Sequence, residues 1–484
     1  MRWLCLCLPA FRYRQTGMNS ANSTSASQGS AVPSGGRLAR VMRAGFWSLG
    51  GGLGAYALRI GNSLIMTRLL VPEMFGIMAL AGIVQVIVFL LSDIGIRQAV
   101  IQNPRADDED FLNTAWTLNI LRGFVIWFIC VLVSIGLYFA QVNGWVASDS
   151  VYAAPELPLV IAAVTFASAI GGLRSMKAII ANRNMELQTL TWIELLSQLI
   201  GVIVMIGIAW EVKTIWSLVI GGLVTQLLTN LFTSLWLPGM PNRLRWDPAS
   251  VREILGFGRW VLLSSACSVF ANNGDRLLLG FWVTPAVLGF YVLAMNLNNI
   301  VITLAARLFD SIGMPALSEV FRENPKRFPQ AYRRLREPFD IACLLSAGLL
   351  FSVGQTLVDI MYDARYAQSG QIVTILSFLL IFSRYGISTS AFLALGQPRY
   401  LTIVSTVKLI SIYALMPIGY ALAGLEGAVW AIALHPLPSV PVIWWFNRGH
   451  GLNDFRYEFA IMGWWIPGYL AGFALAGTWG YIYP

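Results

Sequence analysis

The sequence predicts an all-α integral membrane protein in which two pseudo-symmetric six-helix lobes surround a central cavity. One or two extra C-terminal helices bring the predicted total to 12 to 14 transmembrane helices. Three observations support this prediction. The 484-residue chain is 57% apolar and 12% charged, whereas soluble domains carry roughly 25% charged residues. Thirteen apolar runs follow one another, each long enough to cross the ~30 Å core of a bilayer. Finally, part of the first half of the chain returns in the second half.

The repeated segment is a helical hairpin with a tight Pro/Gly corner at residues 71–76. At an offset of 213 residues, Pro72 falls on Pro285 and Gly76 falls on Gly289. Further matches at offsets of 213 and 214 are Leu64 with Leu277, Leu80 with Leu293, Ala81 with Ala294, Glu194 with Lys408, Leu195 with Leu409, and Ser197 with Ser411. Such a repeat predicts two related bundles that face each other, as in one large class of transporters. Chance similarity between apolar helices is the alternative interpretation.

Each apolar run predicts one transmembrane helix. The runs are 44–66, 74–96, 115–139, 157–180, 189–211, 213–237, 258–283, 286–308, 338–360, 371–395, 400–422, 426–447 and 459–481. They divide the chain into a disordered cytoplasmic N-terminal tail (1–43), an N-lobe (44–237), a cytoplasmic inter-lobe linker (238–257), a C-lobe (258–447) and an extra C-terminal transmembrane helix (448–484). Two sets of six helices explain the repeat, and the thirteenth is either an appended helix or half of a hairpin.

The distribution of basic residues predicts the orientation. Loops on the side of the N-terminal tail hold 20 Lys and Arg residues against 3 on the opposite side, so the positive-inside rule places the tail in the cytoplasm. Residues 19–36 of the tail are rich in Ser, Asn and Gly, which is typical of disorder, and we expect Met18 to be the true start. The basic loop 318–338 is expected to bind phospholipid headgroups, with docking of a cytoplasmic partner as the alternative.

The composition argues against several other classes of protein. The net charge of +9 comes from short loops between apolar runs, which fits membrane orientation rather than nucleic-acid binding. The five cysteines and two histidines lack metal-ligand spacing, so we expect no metal site. The glycine run at residues 50–54 lies inside an apolar span and lacks the Lys-Ser/Thr sequel of a phosphate loop. Because no hydrolase signature is present either, we expect a protein that is not an enzyme and binds no cofactor.

Charged residues inside the predicted spans mark the candidate functional site. A charge at mid-bilayer depth costs about 2.5 to 3.5 kcal/mol on insertion scales, so it normally faces a cavity or a partner. Among them, the cations selected as candidates are Arg59, Arg276, Arg384 and Lys408, and the selected acids are Asp275 and the shallower Glu194. The excess of cations predicts a lumen that attracts a phosphate or diphosphate, which Arg grips with two parallel hydrogen bonds. Structural ion pairing or snorkelling of each cation is the alternative.

Polar uncharged residues inside the spans are candidates for contacts with sugar hydroxyls. The candidates are Asn272, Asn273, Asn296, Asn299 and Tyr291. Amides in apolar spans must find hydrogen-bond partners, so hydrogen bonding between helices is the alternative role for the asparagines. Packing is the alternative role for the tyrosine.

Several longer motifs resemble a known family. They are TRLLVPEMFGIMALA with SDIGIRQAVIQNP after it, ANRNMELQTLTWIE, NNGDRLLLGFWVTPAVLGFYVLA, GMPALSEVFRENPKRFPQAYRRL and LALGQPRY, spread over residues 45–420. In order and spacing they resemble the polysaccharide transporter (Wzx-type oligosaccharide flippase) family of the multidrug/oligosaccharidyl-lipid/polysaccharide exporter (MOP) superfamily. Within it, the chain looks closest to succinoglycan-type exopolysaccharide exporters. Arg276, in the NNGDR stretch, is the one site residue that the resemblance itself supports.

The resemblance implies a multi-pass protein of the bacterial cytoplasmic membrane with a cavity that opens alternately to each face. The implied substrate is an oligosaccharide repeat unit on undecaprenyl diphosphate, moved to the periplasmic leaflet for exopolysaccharide or O-antigen biosynthesis. The expected partners are this lipid-linked oligosaccharide, membrane lipids, a polysaccharide polymerase and chain-length co-polymerase proteins. The driving force stays open, with Asp275 and Glu194 as candidates for coupling to a proton or sodium gradient.

Two other functions remain as alternatives. A drug or cation antiporter of the same superfamily would favour acidic residues in the lumen, whereas this sequence places mainly cations there. A membrane scaffold for a polysaccharide assembly complex would transport nothing, and it would have no reason to keep charges inside its spans.

Overall fold

The computed structural model describes residues 34–91, 96, 100, 108–183 and 186–482, and it contains helices and no strand within these residues. The predicted all-α fold class is therefore confirmed. Residues 1–33, which include Met18 and most of the predicted tail, lie outside the described residues. Contacts along the chain separate Met1–Arg43 from Ala44–Pro484, and the second unit contains both predicted lobes.

The helices of the N-lobe are α1 (Ser34–Leu69), α2 (Pro72–Leu91), α3 (Glu109–Val142), α4 (Leu157–Gly172), α5 (Lys177–Arg183), α6 (Leu187–Val212) and α7 (Trp216–Trp236). The prediction of disorder up to residue 43 is wrong for residues 34–43, which belong to α1. Arg, Leu, Ala and Met predominate in residues 37–44, and these residues favour helix. The predicted fourth span is bent by 68° between α4 and α5.

The remaining helices are α8 (Pro248–Trp282), α9 (Pro285–Glu323), α10 (Phe328–Met361), α11 (Gln368–Leu376), α12 (Phe378–Ser383), α13 (Gly386–Ala394), α14 (Pro398–Leu434), α15 (Ser439–Gly449), α16 (Phe455–Ala460) and α17 (Trp465–Ile482). α8 begins within the predicted linker, because the Asp247 side chain accepts hydrogen bonds from the Ala249 and Ser250 backbone N–H groups. Pro248 at the first helical position favours the same start. The second half of the predicted linker is therefore helix.

Nine helical stretches of the described chain are long and apolar enough to cross a membrane, or ten if the bent pair α4 and α5 counts as one span. One of these stretches, Arg399–Gly449, contains a break at Ala423 and Gly424 and covers two predicted spans. The break falls where Gly424 adopts φ 57°, a conformation that favours glycine. The first and seventh predicted spans lie in α1 and α8, which are not among the nine stretches.

The two copies of the repeated hairpin pack against each other. A Cβ added to Gly76 would overlap the carbonyl oxygen of Pro285, and a Cβ added to Gly289 would overlap the carbonyl oxygen of Pro72. The contact is thus reciprocal, as a two-fold relation between duplicated halves requires. It brings the backbones of α2 and α9 together where only glycine fits, in the manner of small-residue contacts between membrane helices. Around it, a continuous apolar core includes residues of both lobes.

Hydrogen bonds near this contact also join the lobes. The buried Tyr366 hydroxyl donates to the Leu70 carbonyl at 2.8 Å, and Arg365 Nη2 donates to the Arg68 carbonyl at 3.1 Å. The Tyr152 hydroxyl donates to the Leu277 carbonyl at 3.4 Å. Burial raises the pKa of Tyr366, and it raises the pKa of Tyr152 to about 12, so both phenols stay protonated donors at neutral pH. We call the end of the molecule formed by residues 66–76, 283–289 and 362–366 the gate end.

The last helix, α17, packs closely along α10 within the C-lobe. A Cβ on Gly348 would overlap the Trp465 carbonyl oxygen, and a Cβ on Gly468 would overlap the Leu345 carbonyl oxygen. Trp465 also lies against Phe351, with 5.4 Å between the ring centroids. Backbone approach of this kind is typical of helix pairs that stay together in a membrane.

Four buried charged side chains link α10, α16 and Arg384, which is the residue that follows α12. Arg336 Nε lies 2.9 Å from Asp340 Oδ2, and Arg336 Nη1 lies 2.6 Å from Glu458 Oε1. Arg384 Nη2 lies 2.9 Å from Glu458 Oε2 and donates to the Tyr385 hydroxyl at 2.9 Å. We call Arg336, Asp340, Arg384 and Glu458 the ionic cluster. All four are at least 96% buried, so each charge depends on the others.

The glycine contact predicts a position-specific response to alanine. Gly76→Ala and Gly82→Ala both gain up to about 1 kcal/mol of helix propensity on the same helix. Only Gly76→Ala forces α2 away from Pro285, and overpacking costs about 1 to 3 kcal/mol. The purified Gly76→Ala variant should therefore unfold at a lower temperature than wild type, while Gly82→Ala, whose Cβ meets open space, unfolds no lower. Equal behaviour of the two variants would contradict the close contact.

The ionic cluster predicts a large loss of stability when one carboxylate is removed. Glu458→Gln leaves two buried arginines facing the single carboxylate Asp340, and breaking a buried pair costs about 3 to 5 kcal/mol. The matched control is Asp110→Asn, which breaks the exposed pair with Arg245 and costs about 0 to 1 kcal/mol. Thermal unfolding of both purified variants measures the difference. A Glu458→Gln variant as stable as Asp110→Asn would show that the cluster does not stabilise the C-lobe.

Candidate functional site

The N-lobe encloses a polar cavity of about 560 Å³. Residues of α2 to α7 line it, together with the bend between α4 and α5. Its principal polar lining residues are Gln85, Asn119, Arg122, Arg174, Glu194 and Gln226. We call this space the N-lobe cavity. A polar cavity within a bundle of apolar helices offers polar groups a place away from lipid.

Two arginines supply the positive charge of the N-lobe cavity. Arg122 projects from α3, where its Nη2 donates to the Phe89 carbonyl at 3.0 Å and its guanidinium lies 4.4 Å from the centroid of the Phe89 ring. Arg174 lies in the bend after α4, and its Nη2 lies 3.3 Å from Glu194 Oε1. Arg174 Nε is buried and has no hydrogen-bond partner among the described residues. The guanidinium of Arg174 therefore keeps donor capacity for an anion.

Amide side chains complete the wall of the N-lobe cavity. Gln85 Nε2 donates to Ser168 Oγ at 3.2 Å, and Asn119 Nδ2 donates to the Gly172 carbonyl at 3.0 Å. These bonds hold the two amides against α4. An amide carries two N–H donors and a carbonyl acceptor, so one bond to the wall leaves groups that suit sugar hydroxyls.

A second polar group lies in the C-lobe around Asp275. The buried Asp275 carboxylate accepts a hydrogen bond from the Tyr291 hydroxyl through Oδ2, while Oδ1 has no hydrogen-bond partner among the described residues. The side chain of Arg276 lies close enough to act electrostatically on Tyr291. Lys408 and Asp275 both lie close enough to act on His435, whose Nδ1 is 2.6 Å from the Ile432 carbonyl oxygen. We call these residues the Asp275 group.

The structure thus brings together four predicted site residues in the Asp275 group: Asp275, Tyr291, Arg276 and Lys408. Glu194 lies apart from them, on the wall of the N-lobe cavity. Arg59 is exposed on α1, with its guanidinium 5.9 Å from the centroid of the Tyr56 ring. Arg384 belongs to the ionic cluster, which is the structural ion pairing considered as its alternative role. The substrate-binding roles of these residues stay predictions.

The predicted sugar-contact asparagines occupy different environments. Asn273 and Asn299 are half-buried, and Asn296 is exposed. The side chain of Asn272 lies outside the described residues. Their roles in sugar binding also stay predictions. Within the described chain, no group of three or more His, Cys, Asp or Glu side chains is placed to hold a metal ion.

Sequence reasoning missed the two arginines of the N-lobe cavity. Arg122 lies within the predicted span 115–139, so the depth criterion that selected Arg59 also selects this residue. Arg174 lies in a predicted span that bends, and the bend is a feature of the fold rather than of hydropathy. Arg336 and Glu458 were missed because the sequence placed both at the ends of apolar runs, where charge is ordinary.

Comparison with known proteins identifies the family. A profile of the family described as polysaccharide biosynthesis protein matches residues 65–371. A comparison with curated protein sequences returns no match.

Solved structures show the fold. The chain is similar to the lipid II flippase MurJ in an inward closed conformation, with a TM-score of 0.62, 14% identity, and coverage of 90% of this chain and 98% of that chain. It is also similar to a multidrug resistance MATE family transporter of the MOP superfamily in an inward-facing conformation, with a TM-score of 0.60, 12% identity, and coverage of 81% and 94%. For the Vibrio cholerae MATE transporter VcmN in its bent form, the TM-score is 0.51, the identity 13%, and the coverage 87% and 98%. The chain therefore belongs to the polysaccharide biosynthesis protein family and has the fold of the MOP superfamily of membrane transporters.

Proposed function

We propose that this protein moves undecaprenyl-diphosphate-linked oligosaccharide repeat units from the cytoplasmic to the periplasmic leaflet by alternating access. The observation that carries the proposal is the N-lobe cavity, which combines two arginines with four amides inside apolar helices. Guanidinium groups bind phosphate oxygens through paired hydrogen bonds, and amides bind sugar hydroxyls. The similarity in fold to a lipid II flippase supports the proposal that this protein is also a flippase.

Charge balance explains how the N-lobe cavity accepts a diphosphate. A buried diphosphate is tolerable only when cations pair with it, and Arg122 and Arg174 face this space. In the structure, Glu194 is the counterion of Arg174, yet the Glu194 side chain is 60% exposed. An incoming diphosphate displaces this weak pair, since an exposed ion pair contributes about 0 to 1 kcal/mol. The polyprenyl chain remains in lipid.

The positive-inside rule supports loading from the cytoplasm. The N-lobe cavity includes Ser175, Met176 and Asn182 from residues 174–188, a segment whose three basic residues count among those on the predicted cytoplasmic side. The gate end carries Arg68 and Arg365, which belong to the sparsely charged loops predicted to be periplasmic. In this state the lobes are joined at the gate end, so transport requires the contact between Gly76 and Gly289 to open.

The Asp275 group is the matching polar element of the second lobe. After the lobes rearrange, Arg276 and Lys408 provide cations for the same headgroup, and Asp275 is the candidate for coupling to a proton or sodium gradient. The duplication supports this division of roles, because Lys408 occupies the repeat position of Glu194. Membrane lipids and polysaccharide polymerase and co-polymerase proteins are the proposed partners in the bacterial inner membrane.

The proposed function predicts the effect of neutralising the N-lobe cavity. The gene is deleted in its native bacterium and returned on a plasmid as wild type, Arg122→Gln or Arg174→Gln. Each substitution removes charge-assisted hydrogen bonds worth about 1.5 to 3 kcal/mol, so export of polymer falls about tenfold or more. Secreted polysaccharide and the leaflet location of lipid-linked repeat units are measured. We expect the repeat units to accumulate in the cytoplasmic leaflet.

The control is Lys177→Gln, which removes a nearby cation that lies outside the N-lobe cavity and donates to the Ser234 carbonyl. This variant should export polymer within about twofold of wild type, since a single surface interaction contributes about 0 to 1 kcal/mol. Membrane levels of all variants are compared to exclude loss of protein. Normal polymer in the deletion strain, together with increased sensitivity to organic cations, would favour the antiporter instead.

A further inference from the structure

A second cavity of about 560 Å³ lies in the C-lobe, between the start of α10 and the segment that leads into α16. Its polar lining residues are Gln330, Arg333, Arg336, Asn453, Asp454 and Arg456. We call this space the C-lobe cavity. It shares no lining residue with the N-lobe cavity or the Asp275 group, so it is a separate site.

The lining of the C-lobe cavity carries excess positive charge. Three arginines face one carboxylate, Asp454, which lies 3.0 Å from Arg333 Nη2. Within the ionic cluster, Arg336 pairs with Asp340 and Glu458. These two carboxylates also neutralise Arg384. Arg456 is exposed at the mouth of the cavity. The arrangement favours an anion over a cation.

One donor in this wall is buried and unused. The Arg336 side chain is 2% exposed, and its Nη2 has no hydrogen-bond partner among the described residues. Its other two nitrogens already bind Asp340 and Glu458, which fix the plane of the guanidinium. A buried donor without a partner loses hydrogen bonding to water without compensation. Because Arg336 also lines the adjoining cavity, an anion bound there would supply the partner that Nη2 lacks.

We propose that the C-lobe cavity binds a phosphate group through Arg333, Arg336 and Arg456. Guanidinium groups suit phosphate because their donors form a planar fork that matches two phosphate oxygens. Gln330 and Asn453 add neutral hydrogen-bonding groups at the rim. The proposal concerns binding alone and does not depend on transport of a lipid-linked oligosaccharide.

The surroundings of the C-lobe cavity suit the phosphate of a lipid. Phe455 lines the cavity and is 49% exposed, and Phe459 on the next turn of α16 is 71% exposed. Aromatic side chains beside basic residues are typical of the membrane interface, where they contact acyl chains below the headgroups. A free phosphate ion offers the same contacts to the arginines, so the experiment must separate the two sources.

The test is native mass spectrometry of the purified full-length protein in detergent. Phosphatidic acid is added in one arm and diacylglycerol with the same acyl chains, which lacks the phosphate, in the other. Wild type should retain phosphatidic acid and not diacylglycerol. Arg456→Gln should weaken the apparent affinity about tenfold, since a hydrogen bond to a charged group is lost. The control Arg399→Gln removes an exposed cation that does not line the cavity, and it should leave the affinity within about twofold.

A further arm tests inorganic phosphate at millimolar concentration by thermal unfolding and by competition with phosphatidic acid. Displacement of the lipid, or a shift in unfolding temperature that Arg456→Gln abolishes, supports the site with a water-soluble ligand as well. Arg333→Gln serves as a second variant, and size-exclusion chromatography confirms that every variant is folded. Equal retention of both lipids, or equal effects of Arg456→Gln and Arg399→Gln, overturns the proposal when phosphate also gives no shift.

Discussion

The close approach of α2 and α9 at Gly76 and Gly289 determines how the two halves of this protein meet. Each glycine lies against the carbonyl oxygen of the proline that begins the opposite helix, so the contact consists of backbone atoms. Such a contact depends on shape and uses no ion pair. Separation of the lobes at the gate end would therefore leave no charge unpaired, which suits the proposed alternating access. The hydrogen bonds of Tyr366 and Arg365 to backbone carbonyls supplement the contact and are likewise replaceable by water.

Each lobe holds its own polar groups within an apolar surround. The N-lobe keeps Arg122 and Arg174 at a cavity, whereas the C-lobe divides its charges between the Asp275 group and the ionic cluster. A charge within a bilayer is costly unless it is paired or hydrated, and these three places satisfy that condition in different ways. In the ionic cluster two arginines and two carboxylates neutralise one another, which suits a structural role. In the N-lobe cavity the arginines have weaker partners, which suits a ligand.

The fold was predictable because length and hydropathy specify membrane helices, and because the offset of 213 residues indicated a duplication. Each predicted span falls on one of the helices or on consecutive helices. The site was less predictable, since depth in a span identifies a buried charge but not its partner. Arg384 illustrates this limit: its partner Glu458 lies 74 residues away in the sequence. Arg122 satisfied the depth criterion, yet only the fold shows that it faces the same cavity as Arg174.

The last predicted span, 459–481, has a physical reason to belong to the C-lobe. Residues just before and within α16 supply Asp454 to Arg333 and Glu458 to both Arg336 and Arg384. Without this segment, the two buried arginines would share one carboxylate, Asp340, and the C-lobe cavity would lose half of its wall. The same segment therefore neutralises the buried arginines and completes the cavity that exposes the remaining positive charge. Stability and anion binding at this end of the C-lobe thus depend on the same few contacts. The Glu458 carboxylate, which pairs with Arg336 Nη1, also fixes the orientation of the unused Nη2 of the same guanidinium.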